Sequence, residues 1–180
     1  MTVHKLESED SRRITQDLSN VVNFATDLPA MIFRTSDFEF CFFERPLVSF
    51  SDVLIELISA SYEDFSSDVF IRFGGSSENT CFLLDGVDVE GDVEFINKGF
   101  RDFFAGEVDY PMVIGDLAFD WLAFESAHEE FGVLAVKSSL NVSSFSKVLK
   151  KSFISSRDFQ KLAGQHAVMD KIVKAFHGYF

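Results

Sequence analysis

The sequence predicts a single α+β domain spanning residues 1–180, built on an antiparallel or mixed β-sheet with helices packed on one side and a helical C-terminal tail. Three observations lead there. A chain of 180 residues supports one well-buried core but not two comfortable domains. Its composition, 47% hydrophobic and 25% charged, is that of an ordinary globular protein. Pairs of β-rich runs joined by polar turns are interrupted by, and end in, segments of helical period, the pattern of an α+β fold. The 23 phenylalanines stand against 3 tyrosines and 1 tryptophan. A phenyl ring has no polar group to present to water, so most of them are expected in the core.

The elements can be read in order. Ile14, Leu18, Val21, Val22 and Ala25 recur at helical spacing after Ser8 and Asp10, predicting a helix over 10–26 that Pro29 closes. The Phe-dense run 37–44 reads as a strand buried on both faces. Ser51 is expected to cap a second helix with an apolar stripe of Leu54, Leu57 and Ile58. Runs 68–73 and 80–84, separated by the polar stretch 74–79, read as a hairpin. Asp92 is expected to cap a third helix carrying Val93, Ile96, Phe100, Phe103 and Phe104, with Gly106 as its stop. A second hairpin is expected from 119–124 and 131–136, with Trp121 in its first arm. The tail reads as helical over 144–153 and 165–176, where Val168, Ile172 and Phe176 share a face. No internal repeat and no Pro-, Gly- or Ser-rich linker is present, the 3 prolines being scattered.

Compartment and redox state follow from the same reading. The first ten residues lack a basic start followed by an apolar run, so no signal peptide is expected. No apolar stretch reaches the roughly 18 residues of a membrane-spanning helix, and a cytoplasmic protein without membrane contact is expected. Cys41 and Cys81 lie in strand-like apolar runs and are expected as free thiols.

The chemical signatures fail one by one. The carboxylates Asp85, Asp88, Glu90, Asp92 and Glu94 invite a calcium reading, but an EF-hand with Gly91 at its sixth position would begin at Gly86, and one with Gly86 there would begin at Thr80. His128-Glu129-Glu130 opens like a zinc-protease motif, yet Gly132 stands where the second histidine is needed. His4, His166 and His177 have no Cys or His pair at ligand spacing. Ser144 and Lys147 match Ser-x-x-Lys without the elements that accompany it in β-lactamases. No nucleophile elbow, Walker loop or dinucleotide fingerprint occurs. Neither metal nor cofactor is expected, and no catalytic residue is assigned.

Charge is the informative feature. Residues 1–120 hold 24 acidic and 8 basic side chains, whereas residues 121–180 hold 5 acidic and 8 basic, and the net charge is −13. Between Asp85 and Glu130 there are 13 acidic residues against only Lys98 and Arg101. Such a field repels nucleic acid and anionic membranes and steers a basic protein partner. The expected partner-binding residues are Asp85, Asp88, Glu90, Asp92, Glu94, Asp109, Tyr110, Asp116, Asp120, Trp121, Glu125, Glu129 and Glu130. The C-terminal segment 138–180, with 7 basic and 2 acidic residues including Lys147, Lys150 and Lys151, reads as a solvated face balancing the rest.

The expected function is an acidic inhibitory binding protein, a bacterial immunity protein that occludes a basic toxin domain such as a nuclease. Two alternatives stand beside it. One is a nucleic-acid-mimicking inhibitor of a nuclease. The other is a small enzyme or ligand-binding domain with a pocket between sheet and helices, using His128 with Asp120 or Glu125.

Overall fold

A computed structural model describes residues 3–74, 80–104, 110–139 and 143–180, with only the backbone described at 80 and 99–104. Eight strands form one antiparallel sheet: β1 (His4–Lys5), β2 (Phe38–Glu44), β3 (Val69–Phe73), β4 (Thr80–Leu84), β5 (Met112–Asp116), β6 (Trp121–Glu125), β7 (Phe131–Lys137) and β8 (Ile154–Ser155). Their order across the sheet is β1-β4-β3-β5-β6-β7-β2-β8, and every neighbouring pair runs antiparallel. The α-helices are α1 (Ser8–Val21), α2 (Ser51–Phe65), α3 (Val89–Phe104), α4 (Ser144–Ser152), α5 (Ser156–Gln160) and α6 (Ala167–Ala175). The α+β class read from the sequence is the observed one.

Side chains alternate across a strand, so each strand feeds two cores. Val69, Ile71, Met112, Ile114, Trp121, Ala123 and Leu134 face one side, where Leu54, Leu57 and Ile58 of α2, Val93 and Ile96 of α3 and Phe145 of α4 meet them. Phe70, Val113, Leu122, Phe124, Val133 and Ala135 face the other, under Ile14 and Leu18 of α1, Phe159 of α5, Val173 of α6 and Phe176. The helices therefore form two layers; the single layer expected from sequence accounts for α2 to α4, and α1 with the C-terminal tail builds the second. Strands β3, β5 and β6 are buried at every position, which is why they read as continuous apolar runs.

Phenylalanines enter both cores and are concentrated in the second. Phe42 and Phe159 stack with centroids 3.9 Å apart, and Phe176 meets both rings edge-on. Trp121 lies in the first core with 0% exposure, and its indole N–H donates to Ser61 Oγ at 2.8 Å, which satisfies its one polar atom.

Several boundaries move for identifiable reasons. Helix α1 stops at Val21 because Val22 turns extended and bridges to Phe33, so the apolar period that continues to Ala25 belongs to a link. Helix α2 is preceded by Phe50 as its N-cap, and Ser51, expected to be the cap, accepts instead from Asn97 Nδ2 at 2.7 Å. Asp88 rather than Asp92 caps α3, its Oδ1 accepting from Gly91 N at 3.1 Å. On α6 the buried face is Val173 with Phe176, flanked by Met169 and Ile172, while Val168 is exposed. Strand β5, helix α5 and the two-residue strands β1 and β8 are additions to the sequence reading. The expected turn at 74–79 and stop at Gly106 fall largely or wholly outside the described residues. Cys41 and Cys81 are free, and burial pushes the Cys41 thiol up to about 11.

Gly132 marks the tightest point between β2 and β7. A Cβ there would lie 2.3 Å from Phe43 Cζ and 2.9 Å from the Phe124 carbonyl oxygen. Gly132→Ala should therefore destabilise the protein by about 1–3 kcal/mol, the range for overpacking a core. Denaturant unfolding monitored by circular dichroism checks this.

Candidate functional site

The register of the sheet divides the acidic residues between its two ends. Met112 pairs with Glu125 at one end of β5, and Asp116 pairs with Val69 at the other. Strand rise is about 3.4 Å per residue, so these ends lie on the order of 14 Å apart. Asp85, Asp88, Asp92, Asp116 and Asp120 follow or precede strands at the Asp116 end. Tyr110, Glu125, Glu129 and Glu130 gather at the Glu125 end. The described acidic residues of 85–130 thus fall into two groups, and Asp109 lies outside the described residues.

Burial separates these residues further. Asp92, Asp116, Trp121 and Glu125 are at most 1% exposed. A side chain so enclosed offers a partner no surface, so these four serve the fold. Asp116 shows how. Its Oδ1 accepts from Asp120 N at 2.7 Å and Trp121 N at 3.1 Å, and its Oδ2 accepts from Ala118 N at 3.2 Å, closing the β5–β6 turn from within. Burial still raises its pKa, the backbone donors opposing the shift. Asp120 pairs at 2.8 Å with Nζ of Lys137, the last residue of β7.

What remains exposed at the Asp116 end is organised around the link from β4 to α3. Asp85 Oδ1 accepts from Val87 N at 3.0 Å, and Asp88 caps α3 three residues on. Gly86 between them has φ 75°, and a Cβ there would lie 2.6 Å from the Tyr62 ring. Tyr62 is itself fixed, its hydroxyl donating to the Leu84 carbonyl and accepting from Val69 N at 3.3 Å. The link is held on both sides, and it presents Val87 at 78% exposure between two carboxylates. Leu117, 39% exposed, lies at the same end, its N–H donating to the Asp68 carbonyl at 2.9 Å. Glu90 and Glu94 continue the acidic face along α3, and Glu94 pairs with Lys98 at 2.6 Å. Sequence reasoning missed Val87 and Leu117. A lone valine in an acidic loop carries no motif, and only its exposure distinguishes it.

The Glu125 end is a different environment. Glu125 Oε1 accepts from Leu47 N at 2.6 Å, while Oε2 is buried with no hydrogen-bond partner. Burial drives its pKa up to about 8, against the opposing pull of the Leu47 N–H and the Arg45 charge. The Arg45 guanidinium lies 5.7 Å from the centre of the Tyr110 ring. Glu129 is also raised, mainly by burial and by Asp27. Ser126 donates to Asp27 Oδ2 at 2.7 Å and accepts from His128 N at 3.1 Å. A groove of about 420 Å³ lined by Glu44, Arg45, Glu130 and Phe131 opens beside this group. His128 and Glu125 share this end, whereas Asp120 is at the other, so the pairing of His128 with Asp120 is not made.

Among the described residues no group of three or more His, Cys, Asp or Glu is placed to hold a metal ion. Likewise no described helix is long and apolar enough to cross a membrane. Comparison with protein-family models, with curated proteins and with solved structures finds no match in any of the three. The class defined by the fold is a single-domain α+β protein with an antiparallel sheet.

Gly86 offers a direct check on how the Val87 link is held. Gly86→Ala forces a side chain into a left-handed backbone and onto the Tyr62 ring, and should cost about 1–3 kcal/mol. Amide exchange at Val87 and Gly91 should accelerate in that variant, with the β6 and β7 amides retaining their protection.

Proposed function

We propose that this protein is an acidic inhibitory binding protein whose partner is a basic protein domain. The closest functional class is the immunity protein, which neutralises a toxin domain, a nuclease for example, by covering its substrate site. The observation that carries this reading is Val87, held out at 78% exposure between Asp85 and Asp88. An apolar side chain held on a fixed backbone beside two carboxylates offers a basic partner an apolar and a charged contact together. The apolar contact supplies slow dissociation, and the preset loop avoids ordering costs on binding. The carboxylates of Asp85, Asp88, Glu90 and Glu94 supply steering toward a cationic surface. The net charge of −13 strengthens that steering and disfavours direct contact with nucleic acid.

The test uses conservative neutralisation. Asp85→Asn, Asp88→Asn and Glu90→Gln remove three charges, and asparagine retains the side-chain acceptors used in the turn and the cap. Protein partners are captured from the source cells at low salt with the wild-type chain and with this triple variant. The reading expects a basic partner whose association rate falls at least tenfold in the variant and falls steeply with salt. Val87→Ala should instead speed dissociation. Unchanged binding in both variants would remove this face from the proposal, and a partner that is not basic would overturn it.

A further inference from the structure

A second device sits at the Glu125 end, independent of the partner-binding reading. The segment that leaves β2, Arg45 to Phe50, contains a single 3-10 turn at Leu47–Ser49 and joins the sheet to α2. It forms walls for two grooves. Arg45 lines the polar one beside Glu44 and Glu130, and Leu47 and Phe50 line an apolar one of about 240 Å³ with Phe43, Val53 and Ile154. Leu47 is 1% exposed, and its N–H is tied to β6 through Glu125 Oε1 at 2.6 Å. The other oxygen of that carboxyl group is enclosed without a hydrogen-bond partner among the described residues. A neutral carboxyl group, accepting from Leu47 at Oε1 and carrying its proton on Oε2, leaves one unpaired donor, a smaller cost than an unpaired buried charge. An ionised one leaves Oε2 as a charged oxygen shut away from water, which is costly.

We infer that protonated Glu125 holds the Arg45–Phe50 segment closed against the sheet, making this segment a pH-sensitive latch that loosens as pH rises. Relief comes from the segment lifting and admitting water to Oε2. Among the described residues, the charged and titratable groups acting on Glu125 are Arg45 from the segment itself and Tyr110 just before β5. Arg45 also acts on Glu129 of the β6–β7 turn, and its N–H donates to the Glu130 carbonyl at 3.1 Å. Arg45 favours the ionised form, and burial outweighs it.

The sign of the effect follows from linkage. With the segment closed, Glu125 keeps its proton up to a pH of about 8; once open to water it keeps it only to about the ordinary 4.5. The closed state binds the extra proton between these values. Its advantage is complete below the lower value, is lost progressively as pH rises, and levels off above the upper one. The opening constant should therefore climb by up to about tenfold per pH unit within this window.

Amide hydrogen exchange at Leu47 between pH 5 and 7.5, corrected for intrinsic exchange, reads this constant directly. In the wild type it should rise with pH, with protection of Val133 and Leu134 in β7 retained. In Glu125→Gln, which keeps the Leu47 acceptor and cannot ionise, it should be flat. Equal slopes in the two proteins, a flat wild type, or β7 amides opening together with Leu47 would each overturn the latch. Carbon-13 titration of the Glu125 carboxyl group in the wild type decides the matter should the variant fold poorly. A midpoint near 8 supports the latch, and one near 4.5 with Leu47 still protected refutes it.

Discussion

Burial of the sheet on both faces is the constraint from which the rest of this structure follows. A strand enclosed on two sides can turn none of its side chains to water, so β3, β5 and β6 are apolar except at Arg72, Asp116 and Glu125. Two helical layers are then obligatory, and α1 must cross to the side that α5 and α6 complete. The abundance of phenylalanine is a consequence. Large flat rings such as Phe42, Phe159 and Phe176 fill the space between a twisted sheet and short helices while leaving no polar atom unpaired.

The same constraint dictates where polar chemistry can occur. With both faces covered, the buried carboxylates of β5 and β6, Asp116 and Glu125, stand at strand ends, and the two ends solve the problem in opposite ways. At one end Asp116 is enclosed yet receives three backbone N–H groups, so its charge has partners. At the other, Glu125 receives one, and its second oxygen has none. One carboxyl group is a staple. The other is a group whose protonation state and surroundings are coupled.

This division also explains what the sequence disclosed and what it hid. The class, a strand at Phe38–Glu44, both hairpin pairings and five of the six described α-helices were legible, because periodicity records which faces are apolar. The burial expected on both faces of Phe38–Glu44 holds at Phe38, Phe42 and Phe43, while Glu39 and Glu44 are exposed. Strand β5 is as long and as continuously apolar as β3 and β6, but no polar turn of the kind that marked the two hairpins sets Met112–Asp116 off from the run that follows it. Helix α5 is five residues long, too short for a period to register. The acidic run between Asp85 and Glu130 was legible as composition, but composition carries no depth. Asp92 and Asp88 are equivalent in sequence, four residues apart in one acidic stretch; one is wholly buried on α3 and the other caps it from outside. Only register and burial separate structural carboxylates from available ones.

The two edges of the sheet carry a last implication. Each is finished by a two-residue strand, β1 against Phe82 and Leu83 on one side and β8 against Cys41 and Phe42 on the other. Such stubs blunt the longer strands behind them. An extended peptide seeking to prolong the sheet would first have to displace β1 or β8 before it could pair along β4 or β2. The architecture thus discourages both strand-exchanged oligomers and recognition by backbone pairing, and it leaves contacts through side chains at the strand ends as the open route for an encounter with another molecule.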